Sequence, residues 1–424
     1  MSSIKVFKFG GASLRDAANI KNVAAILQKY STENLVIVVS AMGKTTDATE
    51  KIVSSYFAQD GKAMDILNDI RQKHHDIMAE LFDANDDVFA QVNDTLVEVE
   101  WILEDEPHDA YDYIYDQIVS VGELLSSKIV AAYLNKIGLK TTWLDARDVL
   151  KTDETWRESI VDWAATISNA QNIVQPIFTD LSRNSREGAQ FVITQGFIGS
   201  TKDNNTTTLG REGSDYSASI FSHCLDAAGM YIWKDVPGVL SGDPRIFKNM
   251  VKLDQIRYDE AVEMTYYGAT VVHPRTIQPL MVKNIPLNVR SFVDHDAPGT
   301  VISSEAPPQY PPILMAERNQ VFLKISNKDF TFLVESHIRD LFEIFANYHI
   351  FVNLLQNSGA FFYVSITHAP DREKELMRDL RQKFDRVAWL YLARVACVRF
   401  SNSRAADFWQ YRPGLVLWPP VAIL

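Results

Sequence analysis

Residues 35–39 read Leu-Val-Ile-Val-Val, five aliphatic side chains in a row with no polar alternation. A strand with one wet face alternates apolar and polar residues, so a run that is apolar at every position must be covered on both faces. Glu33 and Asn34 precede it and Ser40-Ala41-Met42-Gly43 closes it, which gives strand length rather than helix length. Such a strand belongs inside a parallel sheet with helices on both sides. The flanking sequence supplies partners. Ile4, Val6, Phe7 and Phe9 form an earlier β-like run broken by Gly10-Gly11. Val23, Ile26, Leu27 and Tyr30 then fall at the i, i+3, i+4, i+7 spacing of a helical stripe.

Residues 48–133 are mostly helical in pattern, and strand-like runs return at 141–144, 191–194, 230–233 and 285–289. Strands alternating with helices predict an α/β domain with a largely parallel sheet flanked by helices. Residues 303–312 (SSEAPPQYPP) are proline-rich without periodicity and read as a linker. Beyond it the pattern is strand 321–325, helix 338–348, strands 351–355 and 361–366, helix 372–384 and strand 387–400. This is the split βαββαβ order of a small α+β unit. The expected domains are residues 1–305 and 313–404, with 405–424 a tail of unassigned role.

Charge and cysteine content narrow the partners. The 424 residues carry 42 Lys and Arg against 54 Asp and Glu, a formal charge of −12. A balance this acidic argues against nucleic acid or an anionic membrane surface. The apolar residues 414–424 are too short to span a bilayer and are broken by Pro419-Pro420. Cys224 and Cys397 make neither a disulfide framework nor a zinc site, and the N-terminus has no apolar signal core, so a cytoplasmic protein is expected.

Several segments carry candidate chemistry. Lys8-Phe9-Gly10-Gly11-Ala12-Ser13 joins a strand to a helix, where glycines and free helix N–H groups can cradle a phosphate. It reads equally as a tight turn beside a solvated lysine. It is not a Walker A loop, and no Gly-x-Gly-x-x-Gly follows the first strand. Residues 206–216 (TTTLGREGSDY) place a hydroxyl-rich run and an arginine before Gly213-Ser214-Asp215. Arg211 can grip a carboxylate in bidentate fashion, and Asp215 can position a lysine or a metal. A helix cap would explain Ser214 and Asp215 but not three threonines and an arginine. Residues 234–245 (KDVPGVLSGDPR) follow a strand at its C-terminal end, where open α/β sheets bind ligands, although turn chemistry alone would also account for their Gly and Pro. Glu123 in Ser120-Val121-Gly122-Glu123 is weak evidence alone. His74, His75 and His273 lack metal-ligand spacing, so they are expected to be structural and no metal-binding residue is assigned.

Together these segments resemble the aspartate kinases in order and near-spelling. KFGGAS (8–13), SVGE (120–123), QGFIG (195–199), TTTLGREGSDY (206–216), DVPG (235–238), DPR (243–245) and EMTYYGATVVHP (263–274) each match a family motif. The resemblance implies an amino-acid-kinase fold followed by an ACT-like regulatory domain, with Leu355-Gln356-Asn357-Ser358 as a ligand-loop segment there. It also implies transfer of the γ-phosphoryl group of ATP, with Mg2+, to the β-carboxylate of L-aspartate. That reaction is the first step of lysine, threonine and methionine biosynthesis. By the same resemblance Lys8 would stabilise the transferring group and Asp215 would orient Lys8. Arg211, Glu123, Thr46 and Ser214 would bind aspartate. Gly10, Gly11 and Ser13 would line the phosphates, with Lys234, Asp235, Gly238, Asp243 and Arg245 on the nucleotide side. An ACT-like domain implies an amino-acid effector, lysine or threonine, and a homodimer. Too few residues follow that domain for a fused dehydrogenase, so a single-function kinase is expected.

Two departures stand out. Glu212 replaces a glycine between Arg211 and Gly213, where it could weaken substrate binding or pair with Arg211. Thr270 stands where the family usually has a lysine near ATP. They motivate the competing reading of a catalytically impaired, amino-acid-sensing regulator. Kinases of the same fold acting on glutamate, N-acetylglutamate, carbamate or UMP fit the motifs less well.

Overall fold

The run at 35–39 lies inside a parallel sheet, as its lack of alternation requires. The computed structural model describes residues 3–179, 191–266, 272–305, 311, 313–327 and 332–399. In chain order its first ten strands are β1 (Ile4–Phe9), β2 (Asn34–Val39), β3 (Thr141–Trp143), β4 (Phe191–Gln195), β5 (Ile198–Ser200), β6 (Thr206–Thr208), β7 (Gly229–Lys234), β8 (Gln255–Arg257), β9 (Leu287–Ser291) and β10 (Thr300–Ser303). Eight of them form one sheet in the order β3-β4-β2-β1-β7-β9-β10-β8. Only the β9–β10 pair in it is antiparallel. Leu35 to Val39 are wholly buried.

Helix α1 (Ala17–Gln28) carries the crossover from β1 to β2, and Asp16 caps it by accepting from the Asn19 N–H. Between β2 and β3 the chain makes a helical excursion: α2 (Thr45–Ala58), α3 (Ala63–Ala79), α4 (Val88–Glu104), α5 (Tyr111–Val119) and α6 (Val121–Lys136). By length and composition Tyr111–Lys136 could cross a membrane, but 78% of its most apolar window is buried inside the protein, which marks a core helix. The apolar residues 414–424 considered above lie outside the described residues.

Contacts divide the chain into two units: Met1–Val239 with Lys252–Val262 and Val271–Pro307, and Leu240–Val251 with Glu263–Thr270 and Pro308–Leu424. In the second, β11 (Ile313–Ser326), β12 (Val352–Asn357), β13 (Phe362–Thr367) and β14 (Arg386–Arg399) form an antiparallel sheet in the order β12-β13-β11-β14. With helices Glu335–Asn347 and Pro370–Lys383 this is the expected βαββαβ, ACT-like arrangement. Alternate residues Val321, Leu323 and Ile325 of β11 meet Leu341, Phe345, Leu376 and Leu380 of the two helices in one core. The first strand begins at Ile313, well before the expected 321, because it pairs with β14 along its whole length. Leu355, Gln356 and Asn357 sit on the edge strand β12 rather than in a loop. Thr270 and residues 400–424 lie outside the described residues.

Candidate active site

The site begins with three chain segments that approach too closely for side chains. Gly11, after β1, accepts a hydrogen bond at 2.9 Å from the Gly43 N–H, after β2. A Cβ on Gly11 would stand 2.6 Å from the Ala41 carbonyl oxygen, and one on Gly122, at the start of α6, 2.9 Å from the Ala41 Cβ. Packing therefore explains why Gly11 and Gly122 are glycines. A cavity of about 920 Å³ opens beside this junction. Its lining brings together Lys8, Gly11, Thr46, Glu123, Arg211, Ser214 and Asp215.

Lys8 stands opposite Ile232 in the β1–β7 pairing, so Lys234, two residues further, projects from the same sheet face. Both reach Asp215 in the first turn of the Gly213–Cys224 helix. Lys8 Nζ lies 2.5 Å from one carboxylate oxygen and Lys234 Nζ 3.5 Å from the other. Burial works to raise the Asp215 pKa, but the two ammonium groups outweigh it and hold the carboxyl below its ordinary value. Asp215 therefore orients the two lysines.

Glu123 is 3% exposed. One oxygen accepts from the Ala41 N–H at 3.3 Å, and the other has no hydrogen-bond partner among the described residues. Burial pushes its carboxyl up to about 8, against the opposing pull of the Ala41 N–H and Lys8. A buried, half-paired carboxyl lining a cavity is arranged to receive a cation or hydrogen-bond donor.

Arg211 is exposed at the cavity edge and makes no ion pair among the described residues. The Arg211–Glu212 pairing considered from sequence does not form. Glu212 takes the left-handed conformation, φ 58°, which a glycine adopts without strain and another L residue at a cost of about 1 kcal/mol.

The hydroxyl groups of the threonine run are engaged inside the protein. Thr206–Thr208 is the buried strand β6, paired with β5. The Thr208 hydroxyl donates to Asp116 at 2.6 Å, Thr207 shares a 2.7 Å hydrogen bond with Thr152, and the Thr206 hydroxyl accepts from Arg147 at 3.1 Å. Asp116 itself escaped sequence reading. It also accepts from the backbone N–H groups of Thr208 and Arg157, each at 3.0 Å, and burial pushes it up to about 6. It ties β6 to the loop carrying Arg157.

That loop and α5 build an outer wall that no motif announced. The Tyr115 hydroxyl donates to Glu50 at 2.6 Å. The Arg157 guanidinium lies 4.5 Å from the Tyr115 ring centroid and 3.1 Å from Asp112. The aromatic–acid alternation of residues 111–116 (YDYIYD) was the available signal.

The remaining expected residues are placed as follows. Ser13 is buried in the short turn Gly11–Leu14 and donates its N–H to the Gly10 carbonyl at 2.9 Å. A Cβ on Gly10 would stand 3.6 Å from Lys8 Nζ. Asp235 is exposed after β7. Gly238 has φ 140°, a value that favours glycine. Asp243 and Arg245 belong to the second unit and pair with each other at 2.9 Å. His74 is buried with its Nδ1 on the Ile70 carbonyl, and His273 caps the Pro274–Val282 helix. No group of three or more His, Cys, Asp or Glu suited to a metal comes together among the described residues.

Comparison with known proteins points one way. The profile of the amino acid kinase family matches residues 3–291. Over 306 residues the chain is 36% identical to bifunctional aspartokinase/homoserine dehydrogenase 1 of Arabidopsis thaliana, covering 70% of this chain and 32% of that one. The chain thus spans about a third of the length of such bifunctional relatives. It is 31% identical over 362 residues to lysine-sensitive aspartokinase 3 of Escherichia coli, covering 84% of this chain and 77% of the relative. The structure of E. coli aspartokinase III in complex with lysine and aspartate superposes with a TM-score of 0.78 at 29% identity, over 92% of this chain and 85% of that one. The complex of that enzyme with aspartate and ADP gives a TM-score of 0.72 at 28% identity, with the same coverage.

Proposed function

The chain belongs to the amino acid kinase family, with aspartokinases among its relatives, and we propose that it phosphorylates the β-carboxylate of L-aspartate with ATP to give 4-phospho-L-aspartate and ADP. One observation carries this reading. The half-paired Glu123 carboxyl and the Arg211 guanidinium line the same cavity as Lys8, and Lys8 is held by Asp215. An amino acid presents an ammonium and a carboxylate that these two groups can bind separately. Its second carboxylate is then directed toward the lysine.

The chemistry asks little more of the protein. The β-carboxylate is ionised at neutral pH, so no general base is needed. One of its oxygens attacks the γ-phosphorus, the bond to the β,γ-bridging oxygen breaks, and ADP leaves with the electron pair. Positioning and charge neutralisation supply the catalysis. Lys8 offsets charge on the transferring group, and Asp215 keeps its ammonium in place. Thr46 and Ser214 add hydroxyl contacts to aspartate, and the helix N-terminus at Gly213–Ser214 favours an anion. Gly10, Gly11 and Ser13 lie along the phosphate path. Lys234, Asp235, Gly238, Asp243 and Arg245 are assigned to the nucleotide by resemblance. The described residues offer no protein cage for Mg2+, so the ion would travel with the nucleotide, and no step above runs through it.

Lysine or threonine at the ACT-like unit, a homodimer and a cytoplasmic setting complete the proposal. The name of the E. coli relative, lysine-sensitive aspartokinase 3, supports the effector. No observation favours the impaired-regulator reading: Glu212 forms no ion pair with Arg211, and Arg211 lines the cavity. Trapping with hydroxylamine tests the reaction. Aspartyl hydroxamate formed from MgATP and L-aspartate is expected, and ATP turnover without trapped acyl phosphate would contradict it.

A further inference from the structure

We infer that a second cavity, walled by α2, α4, α5 and the start of α6, is a binding site for a small organic cation of the alkylamine class. The cavity measures about 500 Å³, the size of a small-molecule site. It shares no lining residue with the cavity of Lys8 and Arg211, and the kinase reading is not needed for it. Its floor is apolar. Val99, Ile114, Val121 and Leu124 line it and are each at most 5% exposed, which suits a methylene chain.

One polar group above this floor lacks a partner. Tyr56 of α2 lines the cavity and is 7% exposed, yet its hydroxyl makes no hydrogen bond among the described residues. A tyrosine buried this far usually finds one. Burial raises the Tyr56 pKa, and the Asp105 and Asp109 carboxylates beside it raise it further. Those two acids and Glu98 line the same cavity. Glu98 and Asp105 make no ion pair among the described residues, and Asp109 meets only His108, at 3.5 Å. The stronger cations nearby are committed elsewhere. Arg147 is held by Asp145 at 2.6 Å and by the Thr206 hydroxyl at 3.1 Å. Lys128, in the field of Glu98, donates to the Thr95 hydroxyl at 2.6 Å. Three carboxylates therefore face one weak base, His108. Trp101 of α4, 63% exposed, also lines the cavity and adds an aromatic surface for a cation. A ligand with a methylene chain and an ammonium end would cover the floor, receive the Tyr56 hydroxyl's lone pair and neutralise the acids.

Calorimetric titration of 1,5-diaminopentane into the purified protein tests this, with pentane-1,5-diol as the uncharged control of equal length. Saturable binding of the diamine and none of the diol are expected. Tyr56→Phe, which removes only the unpartnered hydroxyl, should weaken diamine binding about 10-fold, as for losing a hydrogen bond to a charged group. Asp105→Asn combined with Asp109→Asn should weaken it at least as much, and both sets of changes leave the packed floor intact. Glu123→Gln, which alters the other cavity, should leave the affinity within about twofold. No saturable diamine binding, equal binding of the diol, or full affinity in Tyr56→Phe or in the double aspartate variant would overturn the inference. Loss of binding in Glu123→Gln would also overturn it, by placing the diamine in the cavity of Lys8 and Arg211.

Discussion

Without substrate Glu123 is largely a neutral acid at neutral pH, because burial holds its carboxyl at about 8. Pairing with a substrate ammonium requires the carboxylate, so binding below that value releases a proton. Aspartate affinity should therefore rise with pH from 6 to 8, by at most tenfold per unit, and level off above. Glu123→Gln should bind weakly with a flat profile, and a pH-independent KM in the parent would refute the pairing. The sign for stability is opposite. The folded state holds this proton between the unfolded value near 4.5 and about 8, so the protein without substrate loses stability as pH rises through that window. Lys8→Ala should lower turnover by about 10²–10³, the usual effect of removing one charge-stabilising donor, and an unchanged rate would remove its role. These residues were legible because phosphoryl transfer asks for a small set of residue types around glycines. Glu212 was legible as a departure, but its left-handed backbone was not, since φ leaves no mark on a single residue's identity.

At the scale of elements, Asp116 joins α5, β6 and the Arg157 loop through one buried carboxylate. Replacing it strands the Thr208 N–H and hydroxyl and the Arg157 N–H. Asp116→Ala should cost about 2–4 kcal/mol in urea unfolding at pH 7 and raise the KM for aspartate, because β6 leads into the Arg211 loop. A variant as stable as the parent would show that these groups find other partners. No motif flagged Asp116, since an acid within a helical stripe usually faces water. The threonines gave no sign of a strand either: a hydroxyl run has no apolar period, and only burial shows that Thr206–Thr208 is an inner strand. Long strands declared themselves by unbroken aliphatic runs. β8 and β10, three and four residues long, are too short to show a period.

At the scale of the molecule, βαββαβ was readable from alternating segments of ordinary length, whereas the grouping of Leu240–Val251 with the C-terminal unit was not, because contact between distant segments leaves no local pattern. A homodimer is predicted. Sedimentation equilibrium should give twice the chain mass of 48.0 kDa, and a monomer at high concentration would contradict it. The central claim is tested most directly by ADP release from the purified protein at saturating MgATP, with L-aspartate compared against glutamate, N-acetylglutamate, carbamate and UMP. The account predicts release that depends on aspartate and falls by about 10²–10³ in Lys8→Ala. Release that ignores aspartate, or that another acceptor drives better, would contradict it.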